Sequence, residues 1–327
     1  LFLIPIAVLV VMTLPGTTSA SSAPASLPGA PRTEPAPDGL DAPILLEVSL
    51  PDLLRAAVPE AYAFATGAPG LSPFDRAQIV SVYGYPGICS MGELGCHASP
   101  SAVIARAREL ARDLDAANGD RGVRPAVHLI VAVAQPHPGP DGTYLQRMPR
   151  ETIDEWVEAA RRERVLLFLD LQIGWSDPLR EVHRLEPLLR EPFVHLALDP
   201  EFATRAKALP PGDAIGTMSA TQVNEVQAYL GGLVREQSLP PKVLVLHQFK
   251  PGMLTDKPLY ADYLEVEVTI DMDGFGTPEA KLSGYDAYAR VGSDRAAFKL
   301  FFHWDVPMLT PAQLAALPHP PDYLIYQ

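Results

Sequence analysis

Short runs of β-branched and aromatic residues alternate with stretches of helical period through most of the chain. The strand-like runs are Ile79–Tyr83, Ala126–Gln135, Val165–Gln172, Phe193–Asp199, Lys242–Gln248, Glu265–Asp271, Ala297–His303 and Asp322–Tyr326. Between them lie Ser101–Ala117, Thr152–Glu163, Pro178–Arg190 and Ala220–Glu236, whose apolar residues recur at three and four positions and so form one stripe per helix. Strands alternating with such helices imply βαβ units and a parallel sheet. The expected fold class is therefore α/β, a single-domain (β/α)8 TIM-type barrel, and 327 residues suit one such barrel with a short leader. With no helix after the last strand, Leu53–Phe64 is expected to cover the seam between the eighth and first strands.

Three segments follow from composition. Residues 1–20 read as a signal peptide with a truncated start: Leu1–Leu14 is apolar but short for a bilayer span, and Thr18-Ser19-Ala20 offers small residues for cleavage. The absence of an initiating Met and of a basic leader region leaves an uncleaved anchor as the alternative. Residues 21–43, rich in Pro, Ala and Ser, cannot bury enough apolar surface to offset their ordering entropy and read as a disordered tether. Residues 44–327 form the barrel. The expected location is secreted or extracytoplasmic, where Cys89 and Cys96, the only cysteines, pair into a small staple on one glycine-containing loop. Zinc binding by that pair would need two further soft ligands, and only His97 is near.

The formal charge of −13 surrounds the chain with a negative field that disfavours nucleic acid, anionic lipid and polyphosphate. A neutral polar ligand such as a glycan is the expected partner, with the cell envelope as one source; oligomeric state is not legible. No Gly-rich phosphate loop, dinucleotide fingerprint or Gly-x-Ser-x-Gly elbow appears, so no cofactor and no bound metal are assigned.

A parallel barrel carries its site at the C-terminal ends of its strands, and those ends are polar or aromatic here. In order they are Tyr83 and Tyr85, Gln135, Asp170 and Gln172, Asp199 and Glu201, His247 and Gln248, Asp271 and Asp273, His303 with Trp304 and Asp305, and Tyr326. Strand ends are polar in any case where loops begin and Asp caps a helix. Several carboxylates with histidines among them are harder to assign to that cause. Period-two spacing puts Asp170 with Gln172, and Asp271 with Asp273, on one face. His128, His183 and His195, within strand or helical runs, read as structural.

The segments Val82-Tyr83-Gly84-Tyr85-Pro86 with Met91-Gly92-Glu93-Leu94-Gly95, Phe168–Trp175, Leu198–Phe202, Leu246–Phe249 and Asp271–Gly276 resemble a family of secreted actinobacterial-type barrel proteins associated with cell-wall-binding repeats. That resemblance implies secretion and carries no reaction over. Separately, Asp199-Pro200-Glu201 is similar to the Asp-x-Glu of barrel glycoside hydrolases, including lysozyme-like and chitinase-like families, although the longer Asp-rich signature of the chitinase-like group is absent.

Glycoside hydrolysis needs one protonated carboxyl and one carboxylate on either side of the scissile bond. Glu201 is the expected acid, with Asp170, Asp199 or Asp271 as partner, because clustered like charges raise one carboxyl pKa. The other strand-end residues, with Trp175, form the expected substrate-binding set; Tyr85, Trp175, Phe249, Phe275 and Trp304 offer faces for sugar stacking. Two alternatives stay open: a non-catalytic carbohydrate-binding barrel, and a metal-dependent hydrolase using Asp170, Asp199, His247, Asp271 and His303. Against the second, the first strand ends in Tyr83-Gly84-Tyr85 where metal-dependent amidohydrolase barrels carry His-x-His.

Overall fold

The computed structural model describes residues 71–327; the expected signal peptide, tether and Leu53–Phe64 helix lie outside the described residues. Nine strands form one sheet: β1 (Ala77–Gly84), β2 (Gly122–Ala134), β3 (Leu145–Arg147), β4 (Leu166–Gln172), β5 (Val194–Asp199), β6 (Lys242–Gln248), β7 (Val266–Met272), β8 (Arg295–Leu300) and β9 (Tyr323–Tyr326). Eight of them are parallel. β1 pairs with β2 on one side and with β9 on the other, which closes the barrel. Strands β1, β4, β5, β6 and β9 are buried at every position, as expected when one face meets helices and the other fills the barrel.

The outer layer follows the helical stripes. Helix α1 (Pro100–Asp115) starts at Ser99, whose side chain accepts from the Ala102 amide, with Pro100 in the first turn where no N–H is needed. It buries Val103, Ile104, Ala107, Leu110, Ala111 and Leu114, a spacing of three and four. Helix α2 (Arg150–Glu163) buries Ile153, Trp156, Val157 and Ala160 and ends at Arg164 in the left-handed conformation. Helix α5 (Ala220–Gln237) does the same between β5 and β6.

Three local expectations change. The helix expected over Pro178–Arg190 divides into α3 (Pro178–Arg184) and α4 (Glu186–Leu189), because Pro187 has no amide to continue the α3 ladder. The run expected to reach His303 ends at Leu300. There Asp305 Oδ2 accepts from the Phe301 amide at 3.0 Å and Oδ1 from the Gly276 amide at 3.0 Å, and Lys281 Nζ lies 2.9 Å from Oδ2, so the chain turns before His303. Lys281 comes from α6 (Pro278–Gly284), which leads into a π-turn at Tyr285–Ala289; α7 (Pro311–Ala315) precedes β9. Strand β3, not anticipated, pairs antiparallel with the end of β2. It is tied to α3 by Arg147, whose Nε lies 2.6 Å from Glu181 Oε2.

Cys89 and Cys96 are joined in a disulfide with Cα atoms 4.4 Å apart. Their loop packs directly on the end of β1: at Gly92 (φ 131°) a Cβ would stand 2.4 Å from the Tyr83 carbonyl oxygen, so only glycine fits there. At the opposite, N-terminal end, Lys242 Nζ donates to the carbonyls of Glu191 (2.6 Å) and Val194 (2.9 Å). Among the described residues no helix is long and apolar enough to cross a membrane.

Candidate active site

Side chains alternate across each strand, so every second residue points into the barrel. Deep inside, Phe168, His195 and Tyr323 form an aromatic layer: Phe168 lies 4.8 Å from Tyr323 and 5.1 Å from His195 between ring centroids. His195 is held there by the Val243 amide, which donates to Nδ1 at 3.2 Å, and burial holds its pKa well below the usual imidazole value. It is structural, as expected. One layer nearer the C-terminal mouth the residues become ionisable.

Asp170 on β4 is the hub. Its Oδ2 lies 3.3 Å from His247 Nε2 (β6) and 3.5 Å from His128 Nε2 (β2), and all three side chains are fully buried. His247 Nδ1 faces Asp271 Oδ2 at 3.0 Å and Asp273 Oδ2 at 3.1 Å. Lys299 on β8 closes the ring, with Nζ 2.9 Å from Asp273 Oδ1 and 3.6 Å from the centre of the Tyr83 ring. Tyr83 stands edge-on to both imidazoles, 5.1 Å from His128 and 6.0 Å from His247. Beside this ring, the Glu201 amide donates to Asp199 Oδ1 at 2.7 Å just past the end of β5.

The carboxyls separate into two electrostatic classes. Burial, then the charges of Asp199 and Asp273, push Glu201 well above the usual carboxylate range. Asp199 rises in the same way through burial, with Asp170 and Asp273 adding to it. Burial also acts on Asp170, but His247 and His128 outweigh it and hold that carboxyl below its usual range; for Asp273, Lys299 and His247 outweigh burial in the same sense. Burial, with Asp170, Asp199 and Asp273 nearby, lifts the Tyr83 phenol well above its usual value. Carboxyls held above and below their usual range thus meet at one barrel end.

Of the expected catalytic set, Asp170, Asp199, Asp271 and Glu201 all come to this end, and Tyr83, His247 and Asp273 join them. Others serve the frame. Gln172 Oε1 accepts from the Ala134 amide at 2.9 Å, Gln248 Nε2 donates to the Lys250 carbonyl at 3.0 Å, and Gln135 Nε2 bonds the Val133 and Ala134 carbonyls. Trp175 Nε1 donates to Thr204 Oγ1 and the Leu209 carbonyl, joining two loops, and Asp305 pins the turn after β8. Tyr85 is half-buried in a bridge to Ile88. His303 is exposed and, with Trp304, lines a small pocket beside the disulfide. Tyr326 has the opposite facing from Tyr323 and stacks on Phe302 at 5.6 Å, so it does not line the barrel interior. The chain matches no protein-family model and no curated protein.

Two members of the cluster were not singled out from the sequence. His128, whose strand context reads as structural, sits in the ionisable layer, with Nδ1 3.0 Å from the Tyr323 hydroxyl. Lys299 carries no strand-end signal. A usable signal existed for Lys299: an unpaired lysine inside a buried strand is prohibitively costly, so its presence implies a buried carboxylate opposite. At the rim, Phe275 (60% exposed) and Trp304 (40% exposed) lie 5.7 Å apart, each packed on Phe301. Their open faces offer an apolar platform beside the acidic mouth.

Proposed function

We propose that this protein hydrolyses glycosidic bonds in a neutral polysaccharide outside the cytoplasm, with Glu201 as the proton donor. The observation that carries the reading is Glu201 itself: a nearly buried carboxyl (7% exposed) past the fourth barrel strand, kept protonated by burial and by Asp199 two residues before it. A general acid for a glycosidic oxygen needs that elevated pKa. Asp273, fixed by its ion pair to Lys299, is the carboxylate best placed near solvent to serve as its partner; Asp170 and Asp271 lie deeper, against the histidines. Phe275 and Trp304 supply stacking faces for sugar rings. The disulfide supports an oxidising compartment, consistent with residues 1–20 acting as a secretion signal.

The test is turnover of purified envelope polysaccharides and aryl glycosides by wild type and Glu201→Gln. The variant keeps the shape and loses the transferable proton, so the rate on a natural glycan is expected to fall about a hundred- to ten-thousand-fold, with aryl glycosides of good leaving groups spared. Full retained rate on every substrate removes Glu201 from the role. A wild type that binds polysaccharide without cleaving it makes the barrel a carbohydrate-binding module instead.

A further inference from the structure

Three fully buried donors at the centre of the barrel converge without satisfying one another. His128 Nε2, His247 Nε2 and both oxygens of Asp170 have no hydrogen-bond partner, although the two nitrogens stand 3.5 and 3.3 Å from Asp170 Oδ2 and all three donors lie within 4.8 Å of each other. Buried polar atoms almost always find partners, so a group of orphans facing one point calls for a ligand between them.

The outer nitrogens decide what the inner ones present. The Tyr323 hydroxyl donates to Ser81 Oγ at 2.8 Å, which leaves its oxygen to accept from His128 Nδ1–H at 3.0 Å. The neutral imidazole then carries its lone pair on Nε2. His247 Nδ1 faces Asp271 and Asp273 oxygens, so Nδ1 bears a hydrogen and Nε2, toward Asp170, is the nitrogen open to a metal. A carboxylate and two imidazole nitrogens converge there in a low-dielectric interior. A cation at that point would take all three as ligands.

We infer that His128 Nε2, His247 Nε2 and Asp170 bind a divalent transition-metal ion of the zinc class. Neighbouring ligands on a tetrahedral zinc stand about 3.3–3.5 Å apart, given metal–ligand bonds of about 2.0–2.2 Å, and the two measured separations fall in that interval. Two imidazoles with one carboxylate suit zinc and its neighbours, whereas magnesium and calcium favour oxygen alone. The Asp271–His247 and Tyr323–His128 bonds are the outer contacts that orient metal-binding histidines and set their tautomers. Three protein ligands leave a fourth position, with Tyr83 edge-on to both rings. The site stands on these atoms alone and is independent of whether Glu201 cleaves a glycan.

The experiment is zinc titration of the chelator-stripped full chain by calorimetry, with metal content measured by mass spectrometry and Co2+ substituted for its visible ligand-field spectrum. One Zn2+ per chain is expected. Stoichiometry should fall to zero in His128→Asn and Asp170→Asn and remain at one in His303→Ala. Tyr323→Phe should keep one site and weaken it about 10- to 100-fold. If the binding-site variants fail to fold, X-ray absorption on zinc-loaded wild type replaces them, and two imidazole shells around the metal are expected. No zinc uptake by the stripped protein, unchanged stoichiometry in Asp170→Asn, or an absorption spectrum without imidazole scattering overturns the inference.

Discussion

The amide of Glu201 is hydrogen-bonded to Asp199 Oδ1 at 2.7 Å, so the two carboxyl groups occupy one bend of chain at the end of the fourth barrel strand. Burial raises Glu201 first and this proximity adds to it, and the second contribution is removable. Asp199→Asn deletes the neighbouring charge and should move the alkaline limb of the kcat/KM–pH profile to lower pH, because the acid form of Glu201 then persists over a narrower range. The profile is read on a polysaccharide or aryl glycoside that wild type turns over. An unmoved limb detaches Asp199 from the tuning.

Arg147 holds the buried Glu181 in a bidentate grip, with Nε at 2.6 Å and Nη2 at 2.8 Å, and so fastens β3 to α3. Burial pushes Glu181 up, but the Arg147 and Ser176 hydrogen bonds outweigh it and hold its pKa below the usual value. A depressed folded pKa contributes stability above the unfolded pKa and loses it as pH falls through the folded one. Arg147→Met leaves the buried Glu181 carboxylate with only Ser176 and the more distant Arg184, and should cost up to about 3–5 kcal/mol near neutral pH. Arg147→Met with Glu181→Gln should recover part of that loss. Thermal melts of both variants check it; equal Tm values would mean the ion pair is not what fastens β3.

Lys242 gives the same sign of pH dependence at higher pH, through a penalty relieved as pH rises. Burial lowers its pKa from 10.5 to about 7. Between those values the unfolded chain binds more protons than the folded one, so this residue makes stability rise with pH, by up to about 1.4 kcal/mol per pH unit. Below the folded value the penalty is complete, and above the unfolded value it vanishes. The stability difference between wild type and Lys242→Met, from urea unfolding at pH 7, 8 and 9, should therefore change in favour of wild type as pH rises. A difference independent of pH contradicts the assignment.

Phe275 is more than half exposed, so alanine there should lower Tm little, and alanine at Trp304, which is more buried against Phe301, should lower it somewhat more. Each substitution should weaken binding of a soluble oligosaccharide about two- to tenfold, in line with the energy of one aromatic face. Affinity electrophoresis or calorimetry reads it. Unchanged affinity in the double variant removes the platform from the site.

The barrel was legible because its signals are local. Alternation of β-branched runs with helical stripes depends on residues a few positions apart, and it located all eight barrel strands, including the Leu-Leu-Phe-Leu run ending at Asp170 and the Val-His-Leu-Ala-Leu run ending at Asp199. The same reasoning placed Asp170, Asp199, Glu201 and Asp271 at one end, since strand direction in a parallel barrel puts every C-terminus together. Local chemistry also accounts for the Cys89–Cys96 bond across a glycine-rich loop.

What remained hidden was pairing across the barrel. His128 and Lys299 look like isolated polar residues in apolar strands, and only closure of the sheet brings His128 to Asp170 and Lys299 to Asp273. His303 looked like a strand end, but Asp305 and Lys281, from a different helix, turn the chain three residues earlier. Tyr326 shares the last strand with Tyr323 and faces the other way, a choice set by register against β1 and β8. Sequence by itself determined which eight segments become barrel strands, because that property follows from nearest neighbours. The tertiary structure decided which charges meet, because a buried charge is tolerated only where a distant part of the chain supplies its partner.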